Sequence, residues 1–161
     1  MQKRRVEQAF SDYADTVLRA VWHLTCQMHA AEDCTQEAFL RLLAEPDSMT
    51  DEHILPWLLR TALNLAKDFL KSAEHSRTLP LDEENSPQTH PFSESNEPDV
   101  LAMIQTLPKE VRVPMCLHFV EGYTIDETAE LLHTPRSTVA SRIRRARQKL
   151  KELFRKEDTA R

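Results

Sequence analysis

Apolar residues recur along the start of the chain at helical steps. Val6, Phe10, Tyr13, Val17, Val21, Leu24 and Met28 fall on one continuous helical face. A second helix is predicted over about 31–44, with Cys34, Ala38, Phe39, Leu42 and Leu43 turned inward. It stops before Glu45-Pro46, because the residue preceding a proline resists the α region. A third opens near Thr50 or Asp51 and runs to about Ala73, tolerating Pro56 because it lies close to the first turn. Its apolar stripe is Ile54, Leu58, Ala62, Leu65 and Phe69.

The period returns in the last third. A short helix is predicted from about Asp99 to Thr106, and another from Pro108 at its first position to about Glu121. Gly122, the only glycine of the chain, stands where a left-handed residue ends a helix. Thr124-Ile125-Asp126-Glu127 is a capping box that launches a helix to Leu132. Thr134-Pro135 reads as a cap followed by a first helical residue, opening a final helix to about Phe154.

Between the two patterned parts the period vanishes. Residues 78–98 hold Pro80, Pro87, Pro91 and Pro98, five acids and no Lys or Arg. Low hydrophobicity with charge of one sign does not repay the entropy of ordering, so this stretch reads as a flexible linker. The chain is therefore expected to hold two small domains, 1–77 and 99–161, with 78–98 joining them. One Gly against nine Pro leaves few tight turns for sheets, while straight-chain helix formers dominate. The expected fold class is all-α.

Charge sharpens the reading. The net charge is −5, yet the stretch Arg136 to Arg161 carries ten Lys or Arg against three acids. The rest carries eleven basic and twenty-three acidic side chains, so a basic element is attached to an acidic body. On the final helix Val139, Ile143, Ala146 and Leu150 form a buried stripe within roughly 60° of arc. Ser137, Ser141, Arg144, Arg145 and Gln148 lie opposite, with Arg136, Arg142, Arg147, Lys149 and Lys151 on the flanks. Two helices joined by a short turn, the second strongly basic, match a helix-turn-helix. The reading face would supply hydrogen bonds to base edges, and the flanks would meet the phosphate backbone. The alternative at this level is a solvated basic helix.

The third helix carries a second ridge, Arg60, Asn64, Lys67 and Lys71, roughly 150° from its apolar stripe. Lys and Arg neutralise phosphate and Asn can pair with a base edge, although on the ridge alone an exposed polar face of an amphipathic helix is the readier explanation.

Other chemistry finds little support. His23, Cys26, His29 and Cys34 do not converge as ligands, since His23 and His29 are roughly 240° apart on a helix. They read as core cysteines and exposed histidines, and no metal or other cofactor is expected. Trp22 and Trp57 read as packing residues. No nucleophile set, phosphate loop or carboxylate pair stands at useful spacing, so the chain is not expected to be an enzyme or to take a small-molecule substrate. The absence of a long apolar run or an apolar leader, with three cysteines at unhelpful spacings, points to a cytoplasmic protein.

Three blocks resemble one family in order. Ala31-Glu32-Asp33-Cys34-Thr35-Gln36-Glu37-Ala38-Phe39-Leu40-Arg41-Leu42 resembles the region 2.2 helix of extracytoplasmic-function sigma factors. Trp57-Leu58-Leu59-Arg60-Thr61-Ala62-Leu63-Asn64-Leu65-Ala66-Lys67-Asp68 resembles their regions 2.3 and 2.4. Leu107-Pro108, Val120-Glu121-Gly122-Tyr123-Thr124, Glu127 to Leu132 and Ser137-Thr138-Val139-Ala140-Ser141-Arg142 onward resemble region 4.

The resemblance implies a promoter-specificity subunit of RNA polymerase, with the core enzyme and promoter DNA as partners. Asp33, Gln36 and Glu37 would dock on the clamp helices of the β′ subunit. Asn64, with Arg60, Lys67 and Lys71 on its ridge, would meet the −10 element, and the loop Glu45 to His53 would help hold a flipped base. Ser137, Thr138, Ser141, Arg142, Arg144, Arg145 and Arg147 would bind the −35 DNA. The family's reading positions fall on Ala140, Ser141, Arg144 and Arg145, with Arg147 nearby, and the earlier region 4 helices would touch the β flap. An anti-sigma factor is a further possible partner by family analogy. A stand-alone helix-turn-helix regulator is the rival function. The sequence departs from the family pattern at His133, where a turn glycine is usual, at Ala140, where Lys or Arg is common, and at Pro114, which should kink or shorten its helix.

Overall fold

The computed structural model describes residues 2–45, 48–75 and 100–159. The chain divides into two compact units, Met1–Pro87 and Gln88–Arg161. Every regular element among the described residues is helical. The expected linker 78–98 lies outside the described residues.

The first unit is a three-helix bundle of α1 (Gln2–Thr25), α2 (Met28–Ala44) and α3 (Asp51–His75), each packed against the other two. Val17, Ala20, Val21, Ala31, Ala38, Leu58, Leu59, Ala62 and Ala66 are fully buried. The alanines let the helix axes approach closely, and each buried Leu contributes about 1.5–3 kcal/mol.

Several sequence expectations need correction here. The apolar face expected to run unbroken to Met28 ends at Thr25. Cys26 adopts a left-handed φ of 56°, and its amide donates to the Trp22 carbonyl at 2.7 Å. The Thr25 hydroxyl takes up the freed backbone groups, donating to the Val21 carbonyl at 3.1 Å and accepting from the Gln27 amide at 3.3 Å. No Gly or Pro marks this stop. Phe10, expected inward, is 51% exposed, although its ring meets Phe39 edge-on at 5.0 Å. Leu43 is likewise exposed. His23, expected on the surface, is completely buried and stacks edge-on against Trp22 at 5.0 Å.

α3 continues through Pro56, its sixth residue, where the proline has no amide to donate to the Glu52 carbonyl. Its buried arc is wider than the expected stripe. Leu55, Leu59, Leu63 and Ala66 join Ile54, Leu58 and Ala62 inside, whereas Leu65 and Phe69 are half-buried. Two residues at the start of α1 tie the other helices together. The Gln2 amide donates to the carbonyls of Leu42 and Glu45 at 2.9 and 2.8 Å, and Arg5 pairs with Asp51 at 3.2 Å.

The second unit comprises α4 (Val100–Gln105), α5 (Lys109–Met115), a π-helical turn (Cys116–Val120), α6 (Ile125–Leu131) and α7 (Arg136–Thr159). Its core joins Ile104 and Leu107 to Val111, Met115, Ala129, Val139, Ile143 and Ala146. The Arg112 side chain donates to the Leu107 carbonyl at 2.8 Å, satisfying a backbone group in the turn between α4 and α5. Pro114 shortens its helix as expected, since α5 ends one residue later. The backbone then widens to the π spacing, with the Glu121 amide donating to the Cys116 carbonyl at 3.1 Å. Gly122 follows at a φ of 83°, in the left-handed conformation expected of it.

Candidate nucleic-acid interfaces

The turn before α7 is fixed from both sides. Thr124 caps α6 in a complete capping box: its hydroxyl accepts from the Glu127 amide at 3.1 Å, and the Glu127 carboxylate accepts from the Thr124 amide at 3.2 Å. α6 ends at Leu131, and the chain reverses through His133, which takes the left-handed region with a φ of 49°. Without glycine there, the turn carries the strain of a side chain in that region. The Thr134 hydroxyl donates back to the Leu132 carbonyl at 3.1 Å, and the Pro135 carbonyl accepts the first α7 amides, from Thr138 and Val139. Pro135 thus occupies the cap position, one residue later than expected.

α7 presents two chemically opposite sides. Val139, Ile143 and Ala146 are buried and Leu150 packs beside them, as the sequence pattern predicts. Ser137, Arg144, Arg145, Arg147 and Gln148 are exposed, while Thr138, Ala140, Ser141 and Arg142 are half-buried at the edges. Hydrogen-bonding and cationic side chains therefore line the surface away from the core. Arg136 is engaged in an ion pair with Asp126, the second residue of α6. Arg147 lies over the ring of Phe119, with its guanidinium carbon 5.0 Å from the ring centroid.

α3 shows the same division. Arg60, Asn64, Lys67 and Lys71 are all exposed and line up nearly opposite the fully buried Leu58, Ala62 and Ala66. Their spacing places them on adjacent turns of one ridge. At the start of α3 the Thr50 hydroxyl meets His53 Nδ1 at 2.5 Å. Part of the expected base-holding loop, residues 46 and 47, lies outside the described residues. Trp57 is half-buried near the start of the ridge helix, and Trp22 is a core residue.

The outward face of α2 is acidic and amide-bearing. Asp33, Gln36 and Glu37 are exposed, and Glu37 accepts from Arg41 at 3.1 Å one turn on. Leu40 continues this face and is 59% exposed, the most exposed of the large apolar side chains described. The sequence pattern leaves Leu40 out of the inward set of this helix and assigns it no role. The signal that finds it is its spacing of three and four from Glu37 and Gln36.

Other chemistry is sparse. Among the described residues no group of three or more His, Cys, Asp or Glu side chains is placed to hold a metal ion. None of the three cysteines is joined in a disulfide. Burial, and then the adjacent Asp33 carboxylate, pushes the Cys34 thiol pKa up. Among the described residues no helix is long and apolar enough to cross a membrane.

Residues 9–76 match the family model for sigma-70 region 2, and residues 99–150 match that for sigma-70 region 4. The chain is 30% identical over 158 residues to the ECF RNA polymerase sigma factor SigE of Mycolicibacterium smegmatis, covering 93% of this chain and 62% of that one. It is 30% identical over 132 residues to the ECF RNA polymerase sigma-E factor of Escherichia coli, covering 72% of this chain and 69% of that one. The fold resembles that of the sigma factor RpoE solved with the anti-sigma factor NepR from Bartonella quintana. The TM-score is 0.70 at 21% identity, over 92% of this chain and 96% of that one. The chain belongs to the extracytoplasmic-function sigma factors of the sigma-70 family.

Proposed function

We propose that the chain is a cytoplasmic sigma factor that binds core RNA polymerase and directs it to promoters through the −10 and −35 elements. Residues 1–77 form the domain for core enzyme and −10 DNA, 99–161 the domain for −35 DNA, and 78–98 the connection. The observation that carries the reading is α7, whose exposed arginines stand opposite a buried Val139–Ile143–Ala146 stripe. That arrangement holds cations and hydroxyls rigidly outward at the second helix of a helix-turn-helix. Arg144 and Arg145 read base edges together with Ser137, Thr138 and Ser141, while Arg142 and Arg147 serve the backbone.

On α3, Asn64 pairs with an exposed base of the −10 strand, and Arg60, Lys67 and Lys71 neutralise phosphate. Asp33, Gln36 and Glu37 on α2 grip the β′ clamp helices, and the helices before α7 touch the β flap. The chain performs no chemistry of its own. The chain–partner relation seen for the Bartonella protein extends to this one as an anti-sigma factor that withholds it from core enzyme.

Run-off transcription with core enzyme tests the reading. The Arg144→Ala/Arg145→Ala variant should lose −35-dependent initiation while core binding persists. A double variant that transcribes normally overturns the assignment of the reading face. A tight promoter footprint without core enzyme overturns the sigma reading in favour of a stand-alone regulator.

A further inference from the structure

Phe119 is a large apolar side chain left 45% exposed, although its neighbours Cys116 and Leu117 are completely buried. The π-helical turn accounts for the placement. Its wider spacing, fixed by the Glu121 amide donating to the Cys116 carbonyl and the Tyr123 amide to the Leu117 carbonyl, both at 3.1 Å, turns residue 119 away from the core. The ring is also braced. The His118 ring meets it edge-on at 4.8 Å and 79°, and His118 Nδ1–H donates to the Tyr123 carbonyl at 2.6 Å. What the ring supports is the Arg147 guanidinium, 5.0 Å above its centroid.

On α7, Arg147 sits roughly 100° from the centre of the face formed by Ser141, Arg144, Arg145 and Gln148. A side chain on that flank reaches the wall of a groove rather than its floor. A guanidinium held over a ring keeps N–H groups at its rim that can donate to a phosphate. Holding it there before contact also reduces the ordering lost on binding.

We propose that Phe119 is a positioning residue that holds the Arg147 guanidinium for a phosphate of the duplex beside the −35 element. The inference rests on the reading of α7 as a duplex-binding helix, and it assigns Arg147 to affinity and not to sequence choice.

The test measures binding of holoenzyme to promoter fragments that carry different −35 sequences. Phe119→Leu should weaken binding about two- to fivefold. The loss should be equal for every −35 sequence, because a phosphate contact carries no sequence information. Phe119→Tyr keeps the ring and should bind like the wild type. Arg147→Ala should lower the slope of log affinity against log salt by about 1. In the Arg147→Ala background, Phe119→Leu should have no further effect. Wild-type binding by Phe119→Leu overturns the proposal, and so does a loss undiminished in that background. If Arg144→Ala/Arg145→Ala abolishes promoter binding while Arg147→Ala changes nothing, this inference alone fails. If none of the three arginines matters, the reading of α7 fails with it.

Discussion

Asp126 and Arg136 form an ion pair that joins the first turn of α6 to the first residue of α7. The pair spans the turn of the helix-turn-helix and sits at the end of α7 that would enter a groove. Both side chains are largely exposed, at 73% and 64%, so solvent screens the attraction and its contribution to stability is small. If α7 binds duplex DNA as proposed, Asp126 would compete with phosphate for Arg136.

Asp126→Asn removes that competitor and one negative charge beside the duplex. Promoter affinity of the holoenzyme should rise, and the gain should shrink as salt is raised. Stability should fall by less than about 1 kcal/mol, from the lost pair and the lost charge near the α6 start. Fragment binding at low and high salt, with urea unfolding alongside, checks both. Weaker binding at low salt would mean that the pair positions Arg136 and does not sequester it.

The two left-handed residues around α6 give opposite expectations. A methyl group at Gly122 would meet nothing within 4 Å, so Gly122→Ala costs only backbone strain at its φ of 83°, about 1–2 kcal/mol. His133 already bears such strain, and His133→Gly should stabilise the second unit by about 0.5 kcal/mol once the added freedom of the unfolded chain is deducted. Equilibrium unfolding reads both. Equal effects of the same sign would contradict the backbone account.

These contrasts also explain what could be read from the sequence. The capping box, the Gly122 stop, the effect of Pro114 and the buried stripe of α7 were legible because each depends on residues within a few positions of one another. The end of α1 was not legible, because Cys26 enters the left-handed region with only a threonine hydroxyl to mark it. Phe10, Leu43 and His23 were misplaced for a different reason. Helical period says which residues share a face, and tertiary packing decides how far a neighbouring helix covers it. The α3 arc shows the same effect, since contact with both α1 and α2 buries more than one stripe. On the proposed interfaces, the charged ridges were legible. The ring beneath Arg147 depends on a π turn that local patterns do not announce.

Leu40 provides a prediction at the α2 face. Its side chain is mostly solvated, so Leu40→Ala should change stability by no more than about 0.5 kcal/mol. If α2 docks on core polymerase, an apolar side chain between acidic and amide groups is a contact whose loss costs affinity, about tenfold for about 1.4 kcal/mol. Gln36→Ala and Glu37→Ala should weaken core association as well. Sedimentation or fluorescence titration with core enzyme decides it, and unchanged association in all three variants would exclude α2 as the docking surface.

The cysteines offer a probe of the same helix. Cys34 lies on the inner side of α2, where burial and then Asp33 disfavour its thiolate, and alkylation proceeds through the thiolate. Cys116 is fully buried in the second unit, whereas Cys26 is half-buried at the α1–α2 turn. Iodoacetamide should therefore modify Cys26 first, with all three reacting after unfolding in urea. Labelling of Cys34 then requires α2 to open from α1 and α3, so its rate measures the population of that opened state. A partner that binds only the closed bundle lowers this population by mass action. Core polymerase should slow Cys34 labelling while leaving Cys116 labelling less affected, as mass spectrometry of the alkylated peptides would record. If core enzyme slows the two equally, protection is not centred on α2 and the docking assignment loses its support.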